Sequence, residues 1–407
     1  MPSHTHNTPA LRFPGYIGVW EQQKLDDLYI FAGSGGTPKS TNQQYYNGSI
    51  PFLGISDITG RDITQTKKTI TEEGLHHSTA WIVPAGAISL AMYASVGEIG
   101  ILTHDTATSQ AFYNMVFDDD RVRDFIYYRL FKAAEQAEYE PLISTGTQRN
   151  LNAEKIKNFT VQVTSVDEMG AIGHFFRKLD DLIGLHQRQT QKLTELKQGL
   201  LHEMFPREGE SVPQLRFPGF TDTWKQKQFK DLFTECREKT TVENEDILLS
   251  CAINGIFLNK ELFSHFRGST TIGYLKVKKN DLILSAQNLH LGNANVNQCF
   301  ESGIVSPVYK VFHIIDCDPN FVQTWVKREI TKNFFLACTT EGASTCRKNV
   351  DWALLNRSIL QVPHINEQRK IGSFFRKLDD CIHLHERYVM TLIHLKKGLL
   401  QKMFPQD

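Results

Sequence analysis

A seven-residue repeat marks two stretches of this chain. Ile172, Leu179, His186, Leu193 and Leu200 carry the first, and Ile371, Leu378, His385, Leu392 and Leu399 the second. Companions at intermediate positions, Phe175, Leu182 and Leu196 with Phe374, Cys381 and Leu395, complete an a/d seam. The pattern predicts one long helix in each stretch, roughly 50 Å at 1.5 Å per residue, too long for a small globular domain to cover. Apolar residues also fall one position later, at Phe176, Ile183 and Met204 and at Phe375, Ile382 and Met403. They widen the stripe beyond a two-helix seam, so something besides a partner helix should pack there. Pro206 and Pro405 stop both helices after the same Met-Phe.

Outside these stretches the pattern shortens. Residues 16–160 and 220–360 read as mixed α and β with strands dominating. Runs at Ala80–Val83, Ala87–Leu90 and Phe159–Val163, and at Asp281–Ser285 and Ser358–Val362, alternate with turn residues. Helices are predicted at Arg121–Ala137 and Phe321–Leu336.

The two long helices are copies. Residues 172–206 and 371–405 agree at 22 of 35 positions, and such a repeat governs the reading of the whole chain. A second echo precedes each copy. Leu11-Arg12-Phe13-Pro14-Gly15 with Trp20 recurs as Leu215-Arg216-Phe217-Pro218-Gly219 with Trp224, giving two units of about 200 residues. Between these anchors only weak equivalences remain: Gly97 with Gly292, Asn150 with Asn349, Val163 with Val362. If the helices pair antiparallel, each carries its own globular region, and a constant frame presents two different recognition surfaces.

Composition narrows the class. The 407 residues are 41% hydrophobic and 22% charged, enough for two or three ordinary cores. No run of about 18 apolar residues occurs and Met1–Ala10 is polar, so neither a membrane span nor a signal peptide is expected, and the compartment is expected to be the cytosol. All seven cysteines follow residue 235 without a C-x-x-C pair. A disulfide or zinc framework would appear in both units, so these are expected to be reduced. Forty-five basic residues balance 45 acidic ones. Residues 16–160 carry 17 acidic and 12 basic side chains, and residues 220–360 carry 15 and 17. Bulk charge therefore neither proposes nor excludes DNA, and any DNA surface must be local, with Asp118-Asp119-Asp120 on the opposite side.

Individual motifs argue against catalysis. Gly33-Ser34-Gly35-Gly36-Thr37-Pro38-Lys39-Ser40 approaches a phosphate-binding loop, but Pro38 stands where the second glycine is required and removes an N–H from the cradle. A glycine-rich turn is the better reading. His186 and His385 share one seam position; register or packing is favoured over a pH-sensitive or metal-binding couple. Adjacent carboxylates Asp180-Asp181 and Asp379-Asp380 do not face each other on a helix, so a docking surface is favoured over acid–base cooperation. The sequence has no G-x-S-x-G, no H-E-x-x-H and no amino-methyltransferase tetrapeptide.

The FFRKLDD and LKKGLL–MFP elements, the LRFPG openings, Gly-Gly-Thr-Pro followed by Tyr45-Tyr46-Asn47-Gly48 and Ile50-Pro51-Phe52, and Glu367-Gln368-Arg369-Lys370-Ile371 together resemble a specificity (S) subunit of type I restriction-modification enzymes. The resemblance covers nearly the whole chain; one departure is Met169 where the second unit has Gln368. It implies an α/β (α+β) fold with two strand-rich target recognition domains, 1–165 and 215–364. Two long antiparallel helices, 166–206 and 365–407, with a linker at 207–214, form a coiled coil with internal pseudo-twofold symmetry. Each domain is implied to read, through the major groove of double-stranded DNA, one half of an interrupted asymmetric site. The helices are implied to set the spacer and to bind two methyltransferase subunits, with two restriction subunits in the full complex. S-adenosylmethionine, ATP and Mg belong to those partners, in a bacterial or archaeal cytoplasm; this chain has no catalytic or metal role.

Candidate DNA contacts are Lys39, Gln43, Gln44, Tyr45, Lys67, Lys68 and Arg149 in the first unit. In the second they are Arg237, Lys239, Arg267, Lys276, Lys278, Asn288, Arg347 and Lys348. Lys and Arg contact phosphate or guanine, and Gln and Asn read adenine. The methyltransferase interface is expected at Phe176, Asp181 and Ile183 with Phe375, Asp380 and Ile382. Two other classes stay open: a stand-alone nuclease with an unrecognised active site, and a coiled-coil scaffold that never touches DNA.

Overall fold

The structure is a computed structural model describing residues 8–145, 149–264, 270–344 and 347–405, with backbone alone at 144, 145, 149, 341–344 and 347. Two compact units divide the chain: residues 1–187 with 387–407, and residues 188–386. These limits do not follow the expected boundaries at 165, 206, 214 and 364. They cut both long helices, Val166–Glu203 and Ile365–Met403. Each unit thus holds the first half of one helix and the last half of the other.

In the first unit, one sheet packs on two helix segments and a second sheet packs in separate smaller apolar clusters. One sheet runs in the order Phe31–Ser34, Phe112–Val116, Ile88–Ala91, Ile99–Leu102, Asp62–Ile63; the other runs Lys68–Ile70, Tyr46–Leu53, Thr106–Thr108, Ile82–Val83. Pairing is antiparallel except where Phe52–Leu53 meets Ala107–Thr108 and Asp62–Ile63 meets Ile101–Leu102. The helix Asp120–Glu135 lies under the long helix because Phe125 and Tyr128 fill the space beside Phe176. A two-stranded pair, Glu21–Lys24 with Thr160–Val163, delivers the chain into the long helix.

The second unit repeats that delivery with Lys225–Gln228 paired to Ile359–Val362. Val362 holds the register position that Val163 holds in the first unit, and Gly97 and Gly292 both sit at left-handed φ, +96° and +82°. Its main sheet is antiparallel in the order Phe233–Cys236, Tyr309–Ile314, Leu282–Ser285, Ala294–Val296. The helix expected over Phe321–Leu336 is two helices, Pro319–Val326 and Glu329–Ala337. It breaks where Arg328 turns extended and lays its guanidinium 4.2 Å over the Phe205 ring. The six described cysteines are free; Cys346 lies outside the described residues. Among the described residues, no helix is long and apolar enough to cross a membrane.

The repeated opening motif explains its own repetition. In the first unit, the Leu11 N–H donates to the Lys402 carbonyl (2.9 Å), and Arg12 forks onto the Glu168 carboxylate (2.8 and 2.6 Å). The Phe13 ring meets Phe175 edge-on at 5.7 Å. In the second unit, Leu215 donates to the Glu203 carbonyl (3.0 Å), Arg216 forks onto Glu367 (2.8 and 2.7 Å), and Phe217 meets Phe374 at 5.9 Å. Three consecutive residues thus tie the first turn of one helix to the last turn of the other, where backbone carbonyls lack intrahelical partners.

Within each unit the helix segments run antiparallel. Asp180 accepts from Lys396 at 2.6 Å, the His186 ring stacks on Tyr388 at 5.1 Å, and Phe176 and Phe404 stack at 6.2 Å. The second unit supplies the counterpart, Lys197 to Asp379 at 2.5 Å, with Phe205 against Trp224. The first aspartate of each Asp-Asp pair therefore joins helices, while Asp181 and Asp380 stay exposed. Gln368 is buried, accepting from the Asp318 N–H (2.9 Å) and donating to the Pro363 carbonyl, whereas Met169 at the matching position is buried in the first unit's apolar core and makes neither bond.

The seam needs correction. Leu179 is buried, Leu378 and Leu392 pack at the core edges, and Leu193, His186 and His385 are half-buried. Leu182, Leu196 and Leu395, however, are 40%, 52% and 49% exposed. A helix near 3.6 residues per turn drifts about 20° per heptad from a 3.5-residue seam, so strict heptad positions leave the buried face.

Glu168 is 1% exposed, and a buried carboxylate that loses its cation is costly. Arg12→Met should lower protection of helix amides 168–183 in native-state hydrogen exchange by on the order of 2 kcal/mol, with Arg12→Met/Glu168→Met recovering most of it. Equal loss in both variants would refute the role given to this pair.

Candidate nucleic-acid interface

In the first unit the loop from Gly33 to Tyr45 is built onto the sheets from below. Buried Asn114 donates to the Gly33 carbonyl (3.1 Å) and to Thr108 Oγ1 (2.8 Å) while accepting from Ser89 Oγ (2.8 Å). Gly35 and Gly36 pass so close to Thr108 and Thr79 that any Cβ would collide with their backbone. Thr37 Oγ1 donates to Gln110 (2.6 Å), and the Tyr46 hydroxyl donates to the Pro38 carbonyl (2.6 Å). The Gly-Gly-Thr-Pro run is therefore a packed turn.

That turn presents Lys39, Gln43 and Gln44, all exposed, with Tyr45 half-buried in the short helix Gln43–Tyr45. Lys67 and Lys68, also exposed, lie at the far end of the adjoining strand, where Lys68 is in register with Phe52. A register shift between Tyr46 and Ile50 pairs Tyr46 with Ile70, two residues along the same strand from Lys68. Arg149 begins a short strand; its side chain lies outside the described residues. Asp119 caps the helix Asp120–Glu135 and pairs with Arg121.

In the second unit the candidates form two groups. Lys276 and Lys278 project from one face of the strand Leu275–Lys278, and Lys239 bridges to Leu275. Carboxylates already hold much of this group: Glu235 takes Arg237 (2.8 Å) and Lys310 (2.7 Å), while Glu238 and Glu245 take Lys276 (3.0 and 2.6 Å). Hydrogen bonding to Lys276 lowers the pKa of both Glu238 and Glu245. Asn288 precedes the turn Leu289–Leu291, and Lys348 is near enough to His290 to add to the burial that lowers its pKa. Arg267 and the Arg347 side chain lie outside the described residues.

The structure corrects the expected methyltransferase face. Phe176 and Phe375 are 0% and 1% exposed, and Ile183 and Ile382 are buried too. The extra apolar width is covered by each unit's own globular part: Tyr128 and Phe404 stack on Phe176, and Phe375 joins the core around Trp224 and Phe321. Of the six residues only Asp181 and Asp380 face solvent, Asp181 lying 4.0 Å from Arg61.

Residues 18–195 match the family model described as type I restriction modification DNA specificity domain. That match spans a little under half of the chain. It is 29% identical over 190 residues to the MjaIX specificity subunit of Methanocaldococcus jannaschii and 25% identical over 190 residues to the HindI specificity subunit of Haemophilus influenzae; the matched segment is 46% and 45% of this chain. The chain spans less than half of either relative's length, 44% and 40%. A crystal structure of a type I restriction-modification S subunit from M. genitalium covers 98% of this chain and 100% of its own at a TM-score of 0.63 and 14% identity. That S subunit therefore shares this fold at low sequence identity.

Sequence reasoning missed a half-buried lysine that secures the second unit's hairpin, Leu249–Ala252 with Gly255–Leu258. Lys327 donates to the carbonyls of Ile253 (2.7 Å) and Ala294 (3.2 Å), and burial pushes its pKa down to about 8. The unfolded value is about 10.4, so between the two the folded chain binds fewer protons, and the contribution is lost as pH falls through 8. Thermal unfolding of the second unit should become more favourable to the fold from pH 8 to 10, a trend that Lys327→Met should abolish. A wild-type midpoint that falls over that range relative to the variant would contradict this account.

Proposed function

We propose that this chain is the DNA-reading, non-catalytic specificity subunit of a type I restriction-modification complex. The observation that carries the proposal is a constant frame with variable filling. The clamp and helix ends are built twice from the same contacts, whereas the sheets they carry differ in order and in loops. A molecule of that design offers two unlike surfaces, as a bipartite asymmetric target requires. Double-stranded DNA is the ligand, and two methyltransferase subunits and two restriction subunits are the partners. S-adenosylmethionine, ATP and Mg act in those subunits, in the cytoplasm.

Local charge supports the need for partners. With Arg237, Lys276 and Lys310 already facing carboxylates, phosphate binding by this chain releases few counterions, and specific affinity should emerge only in the assembled complex. Exchange of residues 220–360 for the same region of another family member should change one half of the recognised site and leave the other half intact, read by methylation mapping with the methyltransferase subunits present. Coupled change of both halves would overturn the two-reader model. Cleavage of DNA by the lone chain with Mg²⁺ would favour a stand-alone nuclease, and a partner complex without a DNA footprint would favour a scaffold.

A further inference from the structure

The His77 ring stacks on Tyr45 with centroids 5.5 Å apart and planes 14° from parallel. His77 is exposed at the end of the short helix Glu72–His76, beside exposed Gln43 and Gln44.

The pair is held rigidly. The Thr71 N–H donates to the Tyr45 carbonyl (3.0 Å), and Thr71 Oγ1 donates to the Gln44 carbonyl (2.9 Å) while accepting from the Gly74 N–H (3.1 Å). A Cβ on Gly74 would stand 2.5 Å from the Tyr45 carbonyl oxygen, so only glycine lets the helix approach this closely. A site that reads bases needs such preorganisation.

The chemistry of the exposed edge follows from one hydrogen bond. His77 Nδ1 lies 2.9 Å from the Glu73 carbonyl oxygen. A carbonyl only accepts, so Nδ1 carries the proton and the neutral ring keeps Nε2 as a bare acceptor. Glu72 and Glu73, both exposed on the same helix, disfavour a phosphate here and suit a donor. In the major groove the donors are the exocyclic amino groups, N6 of adenine and N4 of cytosine.

We propose that the stacked Tyr45–His77 pair is a base-reading element of the first unit, in which His77 Nε2 accepts from the exocyclic amino group of an adenine or cytosine and Tyr45 fixes the ring. This rests on the DNA-reading function proposed above. The test uses the full chain with its methyltransferase subunits and a random duplex pool. Wild type should enrich a bipartite motif. His77→Ala should relax one adenine or cytosine position of one half by roughly 5–20-fold, leaving the other half and the salt dependence unchanged. Tyr45→Ala should relax the same position, and Tyr45→Phe should not. At an adenine position, replacement by purine, which lacks the amino group, should weaken wild type and leave His77→Ala indifferent; at a cytosine position, the analogue lacking the 4-amino group serves. A His77→Ala complex that keeps full discrimination, or one that loses affinity uniformly with a shallower salt slope, overturns the inference while the DNA-reading function stands. A wild-type complex that enriches no motif removes that function and the inference with it.

Discussion

Everything in this chain depends on a three-residue clamp between helix ends. A helix of 38 or 39 residues leaves carbonyls unpaired at one end and gathers acidic side chains at the other. Leu11-Arg12-Phe13 and Leu215-Arg216-Phe217 answer both needs at once, through a backbone N–H to the incoming helix end, a guanidinium on a buried glutamate and a ring on the helix face. The Met-Phe after each helix then drops into the core beside Trp20 or Trp224. Because the clamp fixes where a helix begins, it also fixes the strand pair leading into it, and the sheets are hung from that pair.

Much of this was legible before the structure. Heptads gave the helices, Pro206 and Pro405 their approximate ends, and the recurrence of Arg12 as Arg216 announced a shared role. The role itself was hidden, because Glu168 and Glu367 lie 156 and 151 residues from their arginines and no local pattern joins them. Apolar width at Phe176 and Phe375 reads as a partner surface in the sequence because periodicity reports which side is apolar and not what covers it. The single helix expected through Lys327 is broken for a tertiary reason: the half-buried Lys327 ammonium donates to the Ile253 carbonyl and Arg328 has a ring to cover.

The candidate DNA surface was the least legible part. Residue type picked out Lys39, Gln43, Gln44 and Tyr45, which one packed turn brings together, yet it also picked Lys276 and Arg237, whose charge neighbouring glutamates already answer. Propensity for a ligand is a property of the residue, whereas availability is a property of its neighbours. His77 escaped notice for the converse reason, since its acceptor edge is defined only by the carbonyl that its other nitrogen meets.

The division of the chain also has a consequence for its synthesis. Residues 188–386 form one uninterrupted compact unit, whereas the first unit is completed by residues 387–407. Trp20, Phe125 and Phe176 therefore wait for Phe404 before their core can close. On the ribosome the first unit's apolar face therefore stays open while residues 188–386 are made, until residues 387–405 emerge to close it.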